Sequence, residues 1–276
     1  MISLHSSSFA AFVGRHPYVK QHEAFEKTWE RTFPESYSAA LTRHGRVTDQ
    51  ECLRLVRSKV PEVDITLHAA ETTVSNSATA VLEGREELSG EITGEHMSAR
   101  EKKLVGDEIR KQLFTQYGIA QEQPVLDILR DRMDMKLISV DEKYTKHFMT
   151  ANGVPWKLVG RIDACTTDKT TIIEVKNRVN RLFMHATEYE RIQVECYLRL
   201  IDEAERAFLV ESLHVEGAGR TLNIIPIERD ESHWKEICHI AEMYVEYVHR
   251  IAHDTGIQDI YFESKRPSAF LRKVTE

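Results

Sequence analysis

Two strand-like runs lie close together in the middle of the chain, "WKLVGRID" (residues 156–163) and "TTIIEVK" (residues 170–176), separated by the polar stretch "CTTDK". β-branched residues dominate the second run and favour a pleated, half-buried surface. The polar residues between the runs are turn formers, so the pair predicts a hairpin and with it a sheet at the centre of the fold. Residues two apart in a strand share a face. Glu174 and Lys176 therefore point the same way, with Ile173 and Val175 turned to a core. Asp163, at the end of the paired strand, is expected within a few ångströms of Glu174, so that two carboxylates and a lysine converge. The bland alternative is a surface hairpin whose Glu/Lys pair contributes about 0–1 kcal/mol.

A chain of 276 residues can bury one large core or two small ones. Hydrophobic residues make up 41% and charged residues 29%, the balance of a globular protein. No apolar run approaches the ~20 residues of a membrane span. The first residues lack a basic segment followed by a long apolar one, so no secretory leader is expected. Cys52, Cys165, Cys196 and Cys238 are widely spaced and read as reduced thiols of an intracellular protein or as small core residues. Among the histidines only His249 and His253 have helical spacing for a shared metal, and no further ligands lie nearby. A net charge of −7 argues against nonspecific coating of nucleic acid but is compatible with acids gathered at a metal site beside a local basic groove.

Along the chain, helices are predicted over 6–13, 21–32 and 48–59, the last capped by Thr48. Residues 64–97, small, polar and acidic, read as a loop-rich insertion or mobile arm. Ser98-x-x-Glu101 forms a capping box that opens a helix to about Tyr117, with Gly118 as its stop and a second helix over 121–135. Strands are expected over 144–150, 155–164, 170–177, 206–214 and 220–227. The glycines of "EGAGR" form the turn between the last two, not a phosphate loop. An amphipathic segment spans 185–202, and a long helix spans 230–253, followed by a basic tail. The order implies a single domain: a helical and loop region over 1–97 packed on an α/β core over 98–253, with helices on both faces of the sheet, and the tail over 254–276.

In order, Glu122, Gly160-x-x-Asp163, Glu174-x-Lys176 and Gln193-x-x-x-Tyr197 resemble the PD-(D/E)XK nuclease superfamily, and within it the YqaJ/lambda-type viral recombinase exonucleases, which include the alkaline exonucleases of large DNA viruses. The opening "SSSFAAFVGRHPYVKQHEAFEKTWE" is similar to that family's opening. The resemblance implies a restriction-endonuclease-like core, a central mixed β-sheet flanked by helices with an N-terminal helical extension. It implies that Asp163, Glu174 and the carbonyl of Val175 hold Mg²⁺, with Mn²⁺ as substitute, and that Glu122 completes the acidic cluster. Lys176 would orient or activate the attacking water, Gln193 would steady the site, and Tyr197 would support it. Ser7 matches the serine near a terminal 5′-phosphate.

Family members from phages place an arginine before that serine; residues 1–6 here hold none, and Arg15 or Arg161 is expected in its stead. Ala164 follows Asp163 where many relatives have glycine. The cysteines lack the clustering of the iron–sulfur relatives, so no Fe-S cluster is expected. Arg178 and Arg181, with Lys265, Arg266, Arg272 and Lys273 of the tail, are candidates for tracking phosphates. Phe183 and Tyr18 are candidates for stacking at a duplex end. The implied partners are double-stranded DNA ends and a single-strand annealing protein, in a trimer or a monomer, in a viral setting (host cytoplasm or nucleus) and with no membrane. An endonuclease or resolvase, and a catalytically silent DNA-binding module, are the rival readings.

Overall fold

The computed structural model describes residues 2–90, 97–140, 142–264 and 266–273. They form a mixed α/β architecture with two mixed sheets. The smaller sheet contains β1 (Ile2–His5), β3 (Tyr144–Ala151) and β4 (Val154–Gly160), with β4 central, parallel to β1 and antiparallel to β3. Asn152 and Gly153, at φ 50° and 74°, join β3 to β4 in the two-residue turn that suits the strand twist. The larger sheet runs in the order β2 (Leu137–Ser139), β5 (Ala164–Thr166), β6 (Thr171–Arg178), β7 (Arg206–Val215), β8 (Gly219–Glu228). Only β6 and β7 are parallel in it. Residues 171–175 of β6 are buried on both faces, which fits its continuous β-branched run.

Three helices from the N-terminal region, α1 (Ser6–Phe12), α2 (Gln21–Thr32) and α3 (Pro34–Arg43), share one core with α9 (Glu231–His253), α10 (Thr255–Glu263) and α11 (Pro267–Arg272). Phe9, Phe12, Phe25, Trp29, Trp156, Tyr244 and Tyr261 are fully enclosed there. A second cluster joins α4 (Asp49–Lys59) and α5 (Pro61–Thr72) to the first half of α7 (Ala99–Met133), while α6 (Ala78–Gly90) packs against Tyr117 of the same helix. The last helix in this description, α8 (Glu188–Leu200), crosses between the two sheets and carries apolar residues on nearly every side.

The expected long hairpin is shorter than its sequence suggests. The run 155–164 divides at Gly160: β4 stays in the smaller sheet, and the chain bends through the buried Ile162 into β5 of the larger one. Only Ala164 and Cys165 pair with β6, so Asp163 stands at the crossing point between sheets. The crossing occurs at Gly160 because α1 and α8 press on it. A Cβ there would lie 2.6 Å from Ser6 Oγ, 2.7 Å from Tyr197 Cε1 and 2.8 Å from Leu200 Cδ1.

Gly118 does not end a helix. The capping box at Ser98 and Glu101 is formed, but α7 continues for 35 residues and passes through Pro124. Val105, Ile109, Leu113, Tyr117, Gln121, Val125 and Leu129 form one buried stripe at four-residue spacing, and its packing outweighs the local cost of glycine and proline. Residues 64–97 are not loop-rich either, because α5 and α6 cover most of that stretch; residues 91–96 lie outside the described set. Val63, Thr66, Leu67 and Ala70 of α5 carry the helical spacing, hidden in the sequence by their small size. The described part of the basic tail is helical as well: Tyr261, Phe262 and Leu271 anchor α10 and α11. Arg266, Arg272 and Lys273 stay exposed, and Lys265 lies outside the described residues.

Candidate active site

Because β5 stops opposite Ile173, the N–H of Val175 has no strand partner on that side. Asp163 supplies it: Oδ2 accepts from Val175 N at 2.6 Å. Beside it on β6, Glu174 is 4% exposed although it is an acid, and Lys176 Nζ donates to its Oε1 at 2.7 Å. Gln193, on α8, completes the set. Its Oε1 accepts from Lys176 Nζ at 3.0 Å, and its Nε2 donates to Glu174 Oε1 at 2.9 Å and to Tyr197 Oη at 2.7 Å. The reverse amide orientation would put an NH₂ against an ammonium, so the partners dictate the one described.

Burial raises the Asp163 carboxyl well above the usual range, and the charges of Glu174 and then Glu122 push it further up. Burial opposes the charge on Lys176, yet Glu174 and Asp163 outweigh it and hold the ammonium protonated above its ordinary range. Glu122 reaches this cluster electrostatically from within α7, not from the start of a helix. Asp163 and Glu174 thus face one lysine, and the charge of Glu122 reaches Asp163. Glu174 Oε2 is buried with no hydrogen-bond partner, and an acceptor left in that state is costly unless a cation meets it. Among the described residues, no three His, Cys, Asp or Glu side chains group closely enough to enclose an ion by themselves. Asp163 and Glu174 are the carboxylates here that could hold a hard cation of the Mg²⁺ type, which binds through one or two carboxylates and keeps several waters.

A cavity of about 250 Å³ opens next to the cluster, lined by His5, Ser7, Lys143, Val159, Gly160, Arg161 and Tyr197. Among the described residues its lining holds no carboxylate. Burial, Arg31 and Lys143 hold His5 below its ordinary range, in keeping with a positive local field. Ser7 and Arg161 therefore share one cavity, whereas Arg15 does not line it and instead bonds Glu236 at 2.7 Å and approaches Glu188 at 3.6 Å. Tyr197 is buried and meets the cavity only at its wall.

Arg178, a candidate for tracking phosphates, is largely but not fully covered. Its side chain is 12% exposed and lies between Glu190 and Glu211, both fully buried. Arg181 and Tyr18 are exposed in loops, and Phe183 is half-buried beneath the Arg178 guanidinium at 4.2 Å. His249 takes no part in a metal site, since its Nε2 accepts from Trp156 Nε1 at 3.0 Å inside the core. Sequence reasoning missed His5, Lys143, Glu190 and Glu211. Only Glu190 carried a local signal, the Thr187-x-x-Glu190 capping box that opens α8.

Neither a family-wide profile nor a curated protein sequence matches the chain. Among solved structures it is similar to an alkaline exonuclease, LHK-Exo, from Laribacter hongkongensis, at 13% identity over 71% of this chain and 92% of that one, with a TM-score of 0.41. The complex of LHK-Exo with dAMP is similar at 14% identity over the same shares, with a TM-score of 0.38. A protein named SSO0001 is similar at 16% identity over 67% of this chain and 84% of that one, with a TM-score of 0.37. Likeness at this level assigns neither a family nor an activity. No helix among the described residues is long and apolar enough to cross a membrane.

Proposed function

We propose that the chain is a metal-dependent nuclease of the PD-(D/E)XK type that digests linear double-stranded DNA from its 5′ ends, leaving 3′ single-stranded tails. The observation that carries the reading is the buried junction of Asp163, Glu174, Lys176 and Gln193, short of positive charge and with one carboxylate oxygen unpartnered. Asp163, Glu174 and the Val175 carbonyl would hold Mg²⁺ or Mn²⁺, with Glu122 adding charge directly or through water. When bound, the ion supplies Lewis-acid stabilisation of the phosphate and a more acidic water.

The chain's own groups have separable roles. Gln193 holds Glu174 Oε1, which leaves Oε2 for the cation, and its carbonyl fixes the Lys176 ammonium. Tyr197 fixes the amide in turn. Lys176, kept protonated by its acids, donates a hydrogen bond to the attacking water or to a phosphate oxygen and offsets charge as it builds. The cavity with Ser7, Arg161, Lys143 and His5, whose described lining holds no carboxylate, suits a terminal phosphate, and this supports digestion from ends.

The test compares end-labelled, 5′-phosphorylated linear duplex with a closed circle of the same sequence, each with Mg²⁺, with EDTA, and with the Lys176→Ala variant. Loss of the linear DNA alone, from its 5′ ends, abolished by EDTA and by the substitution, is the expected result. Nicking of the circle would move the protein to the endonuclease or resolvase branch. Binding without cleavage of either would leave a silent DNA-binding module.

A further inference from the structure

The hydrogen bonds that join Gln193 to Lys176 and Glu174 run between two elements, β6 and α8, that are separated in the chain by the irregular segment 179–187. Bonds of 2.9–3.0 Å tolerate little relative movement. Something must fix the spacing of strand and helix, and Arg178 is placed to do so. It is the last residue of β6, two beyond Lys176 on the same strand. Its Nη2 lies 2.7 Å from Glu190 Oε1 on the first turn of α8, and its Nε donates to Glu211 Oε1 of β7 at 2.9 Å.

Both acids are tied elsewhere too. Glu190 Oε2 accepts from Thr187 N at 3.2 Å and from Thr187 Oγ1 at 2.8 Å, which caps α8, and Gln193 follows one turn later. Glu211 stands opposite Lys176 in the β6–β7 ladder, and its carboxylate also accepts from Phe183 N, Met184 N and Asn223 Nδ2. Met184, held in the left-handed region at φ 66°, marks where the connecting segment is pinned. The charge of Glu190 also acts on Lys176, and Arg178 offsets that charge.

We propose that Arg178 is a positioning residue: by bridging Glu190 and Glu211 it sets the distance at which Gln193 on α8 meets Lys176 and Glu174 on β6. The catalytic half of this inference rests on the nuclease reading; the geometric half does not. A planar fork that reaches two acids at once has no equivalent in lysine, so Arg178→Lys keeps the charge and loses the bridge. Arg199, also on α8 and paired with Glu195 and Glu231, is a control of similar burial away from the site.

The experiment measures melting temperature, steady-state cleavage of 5′-phosphorylated linear duplex with Mg²⁺, and the rate of Lys176 acetylation by a water-soluble acetyl ester, read by peptide mass spectrometry. Arg178→Lys is expected to lower kcat about 10- to 100-fold with KM within about threefold, and to speed Lys176 acetylation about tenfold. Arg199→Lys should lower the melting temperature and leave both readouts near wild type. Glu190→Gln, which keeps the side-chain shape, is the second variant and should move both readouts in the same direction by less. Unchanged Lys176 acetylation in Arg178→Lys and Glu190→Gln overturns the proposal, whether or not the wild type cleaves DNA. A rise in KM with kcat intact overturns it in favour of direct substrate contact, and equal kcat losses in the Arg178 and Arg199 variants reduce Arg178 to a stability residue. Wild type that cleaves nothing ends the nuclease reading while the acetylation result still decides the geometry.

Discussion

The two halves of α7 contribute in different ways. The first half presents Val105, Ile109 and Leu113 to Val56, Val63, Leu67 and Ala70, an apolar cluster. The second half presents Val125, Leu126 and Leu129 to Ile173, Val175 and Val210 of the larger sheet, and Glu122 lies just ahead of that contact. The first contact is defined by volume, and any well-packed set of apolar side chains could supply it. The second also sets a position, because it lies next to Glu122, whose charge reaches Asp163. One continuous helix carries both contacts, each packed against its own partners.

That contrast can be broken at several points. The largest expected effect is from Asp163→Asn, which should lower the kcat of Mg²⁺-dependent cleavage by about 10³-fold or more. Its melting temperature should hold or rise, since a carboxyl that burial and two acids disfavour is replaced by a neutral acceptor. Scanning calorimetry alongside the cleavage assay checks this; a large drop in melting temperature would show Asp163 to be structural.

Leu113→Ala should do the opposite. Loss of a nearly fully buried side chain (2% exposed) should cost about 2–5 kcal/mol by denaturant titration. At temperatures where the variant is folded, kcat should stay within about twofold of wild type, because the two regions are packed separately. A kcat loss as deep as that of Asp163→Asn would show that the halves of α7 are not separable.

Two glycines sharpen the comparison further. Gly160→Ala should destabilise by about 1–3 kcal/mol, since its Cβ meets Ser6, Tyr197 and Leu200 at 2.6–2.8 Å. It should also lower activity, because Tyr197 fixes Gln193. Gly118→Ala should stabilise by about 0.5–1 kcal/mol with activity unchanged, because the residue lies inside a helix and its Cβ would meet nothing within 4 Å. Urea midpoints measure both. A destabilising Gly118→Ala would mean the helix needs its glycine at that point.

Much of this was legible residue by residue. The strand periodicity of 170–176, the turn at "EGAGR", the capping box at Ser98 and the amphipathic pattern around Gln193 are local signals, and each corresponds to an element of the fold. The acids and lysine that interrupt the apolar runs were visible for the same reason, since a charged residue in a β-branched strand conflicts with its surroundings unless other groups meet it. The misread stretches have one cause. At Gly118 and Pro124, and over residues 64–97, local propensity pointed one way and long-range burial the other.

Arg178 shows the limit most clearly. In the sequence it is one more cation after the active strand, with exposure its ordinary expectation. Glu190 and Glu211, 12 and 33 residues further on, cover most of it. Likewise the cavity shared by Ser7 and Arg161 joins a residue near the start of the sequence to one in its middle, because β1 lies parallel against β4. By itself the sequence determined the local conformations and the list of groups able to do chemistry, since backbone propensity and side-chain type act over a few residues. Only the tertiary structure decided which charges are buried together, because desolvation and Coulomb coupling depend on distance in space and not along the chain.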